Sequence, residues 1–328
     1  MRYKIDSGNS TRINITGRRT GEQPGCVRIF HKGQLSEEAY YKFSGFETFL
    51  FIWEKEQEYE VEISELEVSL AYSYCPDCVL EQGVRFIEFK DKAYFYTKDN
   101  LKDALTQDYR NTFHFSPYKN WMNDPNGLCW FKGYYHLFYQ YNPNGQEWGN
   151  MHWGHSVSKD LVHWEHLDPA IARDTLGHIF SGSAIVDKHN SAGYGENTIV
   201  AFYTSHRNIP GGQSQVQSMA YSTDNGRTYT KYEQNPVLTP FDGLQNFRDP
   251  KVFWYEPEQK WIMIVSADKN MRFYSSANLK QWEYMSEFGE GFGPQPNQFE
   301  CPDFIQLPVD GDRTRMKWVM IVNINPGF

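Results

Sequence analysis

The 328-residue sequence has little of what marks membrane proteins and nucleic-acid-binding proteins. No apolar run approaches the roughly 18 residues that a membrane-spanning helix needs. The formal net charge of −9 and the lack of a Lys/Arg cluster argue against a nucleic-acid partner. The first twenty residues lack the apolar core of a secretory signal, so secreted, periplasmic and cytoplasmic locations all stay open. The oligomeric state is not determined by any of these features.

Cysteine is also scarce, and five cysteines in a chain of this length do not make a disulfide framework. Cys75 and Cys78 have the C-x-x-C spacing of a zinc or redox pair. However, a second such pair is missing and no βαβ pattern surrounds this one. We therefore expect two free thiols in a hairpin, and we expect neither a metal nor another cofactor.

Residues 1–107 read as a small β-sandwich-like domain. Tyr59–Leu70 alternates polar and apolar residues, which predicts one half-buried strand. Gly83–Lys90 and Ala93–Tyr96 predict a hairpin, and Asp99–Arg110 predicts a short linking helix. No catalytic constellation occurs in this part of the sequence, so we expect a structural role or accessory carbohydrate binding.

Residues 108–328 repeat a pattern of short strands about every 60 residues. An apolar strand recurs at Tyr135–Tyr139, Ile199–Tyr203, Trp261–Val265 and Trp318–Val322. The first three copies are followed by a turn and an aromatic residue, which are Trp164, Tyr229 and Trp282. This period without helical segments predicts β-propeller blades of four strands, with a generic multi-stranded sandwich as the alternative. Because three blades are complete and a fourth is only begun, we expect a truncated ring or one that a partner completes.

Acidic residues recur at the start of the segment that precedes each apolar strand. These starts contain Asp124, Asp249 and Glu300, with Ser181 at the corresponding place in the second repeat. If the segment is the innermost strand of each blade, its start lies beside the propeller axis. Residues far apart in sequence would then meet at one pocket.

Three carboxyl groups in one pocket repel each other unless a metal or a proton lies between them. A metal would need further ligands at these strand starts, and the sequence supplies no histidine there. A proton shared among carboxylates suits glycoside cleavage, in which one group attacks and another is the acid. Aromatic and amide side chains near these starts suit a sugar ligand, namely Trp121, Trp148, Trp153 and Phe180 as walls and Asn123, Gln140, Ser181 and Arg248 as hydroxyl partners. Trp153 and His155 are equally suited to packing between blades.

Six motifs from Phe113 onward resemble, in order and spacing, those of glycoside hydrolase family 32, the family of invertases, levanases and inulinases. They are Trp121–Gly127, Phe138–Pro143, Trp148–His155, Phe180–Ser183, Phe247–Pro250 and Glu300–Asp303. The resemblance implies an all-β fold with a five-bladed β-propeller, here truncated within the fourth blade, and it does not extend over residues 1–107.

The resemblance also implies a role for each predicted site residue. Asp124 corresponds to the nucleophile, Glu300 to the acid and base, and Asp249 to the transition-state stabiliser of a retaining double displacement. The terminal fructose would be held by six further residues, which are Asn123, Gln140, Trp148, Phe180, Ser181 and Arg248. A retaining mechanism places the Asp124 and Glu300 carboxyl groups about 5–5.5 Å apart. Cys301 is expected to be a buried neighbour of Glu300 and not a nucleophile.

The motifs are most similar to those of exo-acting microbial fructan β-fructosidases. The resemblance therefore implies release of terminal fructose from levan, inulin and fructo-oligosaccharides, and from sucrose. Three alternatives stay open at this point. They are a fructosyltransferase with the same residues, an inactive truncated fragment that only binds fructan, and a hydrolase of phosphorylated sucrose with a basic contact for the phosphate.

Overall fold

The computed structural model describes residues 1–97, 100–101, 110–111, 113–295 and 297–324. The chain divides into two compact units. The first consists of Met1–Met122, Tyr141–Asn150 and Ser156–Asp168, and the second of Asn123–Gln140, Met151–His155 and Pro169–Phe328. The predicted boundary between residues 107 and 108 stays a prediction, since both residues lie outside the described part. Most of the predicted helix Asp99–Arg110 lies outside it as well.

The N-terminal nine strands form two antiparallel sheets. The strands are β1 (Arg2–Asp6), β2 (Arg12–Arg19), β3 (Gly25–His31), β4 (Gln34–Tyr41), β5 (Glu47–Ile52), β6 (Glu58–Ser64), β7 (Leu66–Tyr74), β8 (Arg85–Phe89) and β9 (Ala93–Tyr96). One sheet has the order β1-β6-β3-β4 and the other β5-β2-β7-β8-β9. Residues of both sheets share one buried core, which includes Val27 and Val61 from the first and Ile13 and Ile15 from the second. The described N-terminal region is thus a β-sandwich, and the predicted hairpin is the pair β8–β9.

The prediction of a single strand over Tyr59–Leu70 was wrong. The chain ends β6 at Ser64, takes a left-handed φ of 49° at Glu65, and enters the other sheet as β7. The apolar positions change phase at this point, from the odd-numbered Tyr59, Val61 and Ile63 to the even-numbered Leu66, Val68 and Leu70. A change of phase moves the apolar side chains to the other face of the strand. A chain that crosses from one sheet of a sandwich to the other needs this change, because the core lies on opposite faces of the two sheets.

The Cys75–Cys78 pair lies in a helical turn and not in the predicted hairpin. Pro76–Cys78 forms a 3-10 turn that continues into the short helix α1 (Val79–Gln82). All five cysteines are free thiols. Within the described ranges, no helix has the length and apolar character to cross a membrane.

The remaining strands, in the order of the chain, form three four-stranded sheets and one two-stranded hairpin. The strands are β10 (Trp121–Phe131), β11 (Tyr134–Asn142), β12 (His152–Ser158), β13 (Trp164–His166), β14 (His178–Asp187), β15 (Thr198–Ile209), β16 (Gly212–Ser222), β17 (Thr230–Lys231), β18 (Phe247–Tyr255), β19 (Lys260–Ala267), β20 (Asn270–Ser276), β21 (Glu283–Phe288), β22 (Phe299–Val309) and β23 (Asp312–Ile324). Each sheet is a sequential meander, β10 to β13, β14 to β17 and β18 to β21, and β22 pairs with β23. The three sheets correspond to the three complete blades that the repeat predicts, and the hairpin corresponds to the incomplete fourth blade.

The same side-chain-capped turn connects the third and fourth strands of each blade. In the first blade the Ser158 hydroxyl accepts the Leu161 amide at 2.8 Å, and in the third Ser276 accepts the Leu279 amide at 2.8 Å. The second blade uses the Ser222 hydroxyl for the Gly226 amide at 2.8 Å. These turns explain the repeated Ser-x-Asp/Asn pattern of the sequence, because short polar side chains satisfy turn amides that the sheet leaves unpaired.

The second strand of each blade carries the blade core. Phe138, Phe202 and Ile264, which occupy equivalent repeat positions, are all fully buried. The equivalent Ile321 on β23 is 52 % exposed. In the described part of the chain β23 pairs only with β22, so no third strand covers this residue.

Candidate active site

All three predicted acidic residues lie near the beginning of the first strand of a sheet. Asp124 is on β10, Asp249 on β18 and Glu300 on β22, and Ser181 lies on β14 of the second blade. All four belong to the second compact unit. The four residues thus occupy equivalent positions in successive repeats of the meander.

A β-bulge interrupts the strand pairing at three of these positions. The register shifts between Ile179 and Gly182 on β14, between Arg248 and Lys251 on β18, and between Glu300 and Asp303 on β22. Bulges re-aim side chains and release amides from the sheet ladder, and they are common beside active sites. Ser181, Asp249 and Cys301 therefore lie at strand positions where the pairing is interrupted.

Two residues in these bulges have a left-handed backbone, which is costly for any residue with a side chain. Asp249 has a φ of 64° and Cys301 a φ of 48°. The freed Asp249 amide donates to the Thr204 hydroxyl at 2.9 Å, and the freed Cys301 amide donates to Asp249 Oδ2 at 2.8 Å. The strained backbone is thus held by specific acceptors.

Cys301 and Ser181 bring the acidic residues together. The Cys301 thiol lies 3.7 Å from Asp124 Oδ2, while its amide binds Asp249. The Ser181 hydroxyl donates to the same Asp124 oxygen at 2.6 Å. Asp124 and Asp249 therefore contact one residue, Cys301, which directly follows Glu300 in sequence.

Arg248 is the cation of this cluster and is only 7 % exposed. Its guanidinium donates to Glu300 Oε1 at 2.7 Å and lies 3.9 Å from Asp249 Oδ2. It also donates to the side-chain oxygens of Gln215 at 3.3 Å and Asn246 at 3.2 Å. A buried cation surrounded by acceptors offsets part of the repulsion among the carboxylates.

Burial raises the pKa of Asp249 to about 6. Desolvation is the main cause, Arg248 and the Cys301 amide act against it, and the charges of Glu300 and Asp124 add to it. Burial and the same carboxylates also raise the pKa of the Cys301 thiol. A thiol with a raised pKa is a weak nucleophile, which agrees with the expectation that Cys301 does not attack.

Among the predicted sugar-binding residues, Gln140 and Phe180 are held in place by neighbours in the same unit. The Gln140 amide donates to the Ile179 carbonyl at 3.0 Å. The half-buried Phe180 ring stacks on His206, with centroids 4.2 Å apart and an interplanar angle of 10°. Asn123 is half-buried directly before Asp124. Trp148 belongs to the first compact unit and is 55 % exposed. The binding roles of these residues stay predictions.

Trp153, predicted as a wall of the sugar site, is a core residue instead. It is fully buried against Phe138 and Tyr203, and its indole donates to the Phe180 carbonyl at 3.0 Å. His155 is also buried, and it stacks on Phe138. Of the two interpretations that the sequence left open, packing is the one that holds for both residues.

A buried polar group that was not among the predicted site residues supports the acidic residues. Gln217 accepts the Thr204 hydroxyl at 2.7 Å and donates to the Phe247 carbonyl at 2.7 Å, while Gln215 accepts the Phe247 amide at 2.9 Å. A signal was present, because Gln213, Gln215 and Gln217 alternate along β16 and thus point to one face. Buried glutamines on such a face need partners, so they indicate a polar network. Among the described residues, no group of three or more His, Cys, Asp or Glu side chains could hold a metal ion.

Comparisons with known proteins match the region that contains these residues. A family model described as the glycosyl hydrolases family 32 N-terminal domain matches residues 114–328. The levanase of Bacillus subtilis strain 168 is 55 % identical over 224 residues, covering 67 % of this chain and 32 % of the levanase. The extracellular exo-inulinase of Aspergillus awamori is 45 % identical over 246 residues, covering 67 % of this chain and 45 % of the inulinase.

Solved structures give the same picture. The crystal structure of the exo-inulinase from Aspergillus awamori matches with a TM-score of 0.62 and 43 % identity, over 68 % of this chain and 47 % of that one. A family 32 structure from Bifidobacterium adolescentis matches all of this chain and 65 % of its own, with a TM-score of 0.81. At 24 % identity this second likeness concerns the fold alone. The chain spans less than half the length of the levanase and the exo-inulinase.

Proposed function

Because the chain belongs to glycosyl hydrolase family 32, we propose that it releases terminal fructose from β-fructans such as levan and inulin, and from sucrose. One observation carries the proposal: Cys301 contacts both Asp124 and Asp249 and directly follows Glu300, so three acidic groups share one neighbourhood. Two carboxylic groups acting as nucleophile and as acid are what retaining glycoside cleavage requires.

In the proposed mechanism Asp124 attacks the anomeric carbon of the terminal fructose. Both side-chain contacts of Asp124, from Ser181 and Cys301, fall on Oδ2. They hold Oδ2 in place, and in the proposed mechanism Oδ1 is the atom that attacks. Positioning of this kind lowers the barrier because the attacking group loses little freedom in the transition state.

Glu300 is the proposed acid and, in the second step, the base that activates water. In the structure its Oε1 accepts the Arg248 guanidinium at 2.7 Å. Proton donation to the leaving oxygen requires this pair to loosen, and the hydroxyls of the bound fructose can replace Glu300 as acceptors of Arg248. Asp249, fixed by the Cys301 amide, then faces the hydroxyls of the ring as positive charge develops on it.

The test is fructose release from sucrose, inulin and levan by the chain and by Asp124→Asn and Glu300→Gln. We expect release by the unchanged chain and a loss of about a thousandfold or more in each variant. Asp310→Asn is the matched control, because Asp310 lies in the turn at the far end of β22 with a φ of 54°, which asparagine tolerates. This control should keep full activity.

The stereochemistry gives a second readout. With methanol as acceptor, a retaining enzyme forms a methyl β-fructoside, which proton NMR distinguishes from the α-anomer. An α-product, or full activity in Asp124→Asn, would contradict the mechanism. Growth of oligosaccharides at high sucrose would identify a transferase, and fructan binding without fructose release by the folded chain would identify a binding fragment.

A further inference from the structure

The thiols of Cys75 and Cys78 share one short turn in the first compact unit. Cys75 directly follows β7, and the Cys78 amide donates to the Cys75 carbonyl at 3.2 Å. A turn closed by such a bond keeps its first and fourth Cα atoms within about 7 Å. Disulfides span about 4.4–6.8 Å between Cα atoms, so this turn holds the pair at a backbone spacing that a disulfide can bridge.

Cys75 also lines a cavity of about 240 Å³ beside the connection between β7 and β8. The residue is only 6 % exposed, so a reagent reaches its sulfur through this cavity. The side-chain amide of Asn9, in the cavity wall, donates to the Cys78 sulfur at 3.5 Å and to Gln82 Oε1 at 3.1 Å. The cavity has room for a small molecule but not for another folded protein.

The surroundings make the two thiols unequal in acidity. Burial acts against it, but the Cys78 thiol and the backbone amides of Cys78 and Asp77 lower the pKa of the Cys75 thiol. Burial and the neighbouring Cys75 thiol raise the pKa of the Cys78 thiol. The thiolate is the nucleophile in exchange with a disulfide, so Cys75 is the thiol of the pair that attacks first.

The turn leads directly into a contact with β13 of the same unit. Val79 and Leu80 of α1 are buried, and the Gly83 amide donates to the Val79 carbonyl at 2.9 Å. The next amide, that of Val84, donates to the His166 carbonyl of β13 at 2.8 Å. A disulfide in the turn before α1 therefore constrains the segment that connects the sandwich to β13.

We propose that Cys75 and Cys78 are a reversible redox pair, which a small-molecule disulfide converts to an intramolecular disulfide. The Cys75 thiolate attacks one sulfur of the reagent, the S–S bond of the reagent breaks, and one reagent thiol leaves. Cys78 then attacks the Cys75 sulfur of the mixed disulfide, and the second reagent thiol leaves. The two cysteines give up two electrons and two protons, and the reagent is reduced to two thiols. This proposal is independent of the proposed function.

The test is treatment of the folded chain with hydroxyethyl disulfide, followed by thiol counting and mass spectrometry. We expect two of the five thiols to disappear together with the mass of two hydrogen atoms, and a dithiol reductant should restore both. The other three cysteines are internal controls because burial raises the pKa of each, and they should stay thiols; they are Cys26, Cys129 and Cys301. Five unreacted thiols, or reagent adducts without the intramolecular bond, would overturn the proposal.

Single substitutions identify the attacking thiol. Cys78→Ser should accumulate a mixed disulfide at Cys75, because no second thiol is present to displace the reagent. Cys75→Ser should react at Cys78 more slowly by about tenfold or more, because the remaining thiol has lost the partner to which its sulfur is matched. Equal rates in the two variants would show that Cys75 is not the attacking thiol.

The equilibrium constant for oxidation tests whether the fold favours the disulfide, and it needs only the unchanged chain. We expect this constant to be larger in the folded chain than in urea by about tenfold or more. The reason is that closing the ring restricts the unfolded chain more than a turn that is already formed. An equal or smaller constant in the folded chain would overturn the proposal, even if one of the serine variants did not fold.

Discussion

Replacing Asp249 by asparagine should stabilise the protein at neutral pH although it removes a proposed catalytic group. Burial raises the pKa of Asp249 from 3.8 to about 6, so the folded state holds a proton that the unfolded chain releases between these values. The free energy of unfolding therefore falls as the pH rises from about 4 to 6. Above pH 6 the full cost of the buried charge is present.

The magnitude follows from the shift in pKa. A change of about two units corresponds to about 3 kcal/mol, which is the upper limit for Asp249→Asn above pH 6. The amide oxygen can still accept the Cys301 amide, and Arg248 keeps Glu300 as its partner. We therefore expect the gain to be close to zero at pH 4 and to reach its plateau by pH 7.

Urea unfolding of the chain and of Asp249→Asn at pH 4, 5, 6 and 7.5 measures this difference. Asp224→Asn is a control for which the expected change in stability has the opposite sign. Hydrogen bonds from the Thr228 side chain and other donors lower the pKa of Asp224 despite its partial burial. Its loss should destabilise the protein at all four pH values, because this stabilisation is lost only as the pH falls below about 4. A gain for Asp249→Asn that is equal at pH 4 and pH 7.5, or a loss at pH 7.5, would refute the reasoning.

Two further substitutions test the support of the site and the order of the blades. Thr204→Val removes the hydroxyl that accepts the Asp249 amide at 2.9 Å and donates to Gln217 at 2.7 Å. It should therefore lower the free energy of unfolding by about 1–3 kcal/mol, measured with urea, and reduce fructose release. Thr204→Ser keeps the hydroxyl and should preserve both the stability and the activity. Ile264→Ala should lower the free energy of unfolding by about 2–5 kcal/mol, because Ile264 is fully buried. Ile321→Ala, at the equivalent but half-exposed position, should lower it by less than about 1 kcal/mol. Equal losses in urea unfolding would contradict the assignment of the blades.

The repeat and its motifs were predictable because they depend on local patterns. An apolar strand recurs about every 60 residues since each blade buries its second strand, and Phe138, Phe202 and Ile264 are buried as this predicts. The serine-capped turns recur because each blade needs the same connection between its third and fourth strands. From this order alone, Asp124, Asp249 and Glu300 could be assigned to equivalent positions near the starts of strands.

Contacts between side chains distant in sequence were not predictable from such patterns. For Trp153 the sequence left the sugar site and packing equally open, and it lies in the core, because the side of a strand that faces the core depends on which blade packs against it. The supporting glutamines of β16 were missed for a related reason, since their partners Thr204 and Phe247 lie on β15 and β18. Periodicity identifies a face of a strand but not the group that the face meets.

The sequence by itself determined the all-β repeat, the residue types at each strand start and the family resemblance, because strand periodicity and short motifs are local properties of the chain. Only the tertiary structure decided that Arg248 pairs with Glu300 and that Cys301 joins Asp124 to Asp249. It also decided that Asp249 is buried, which raises its pKa to about 6. Desolvation and charge–charge distances depend on which strands become neighbours, and the β-bulges that aim these side chains form only when those strands pair.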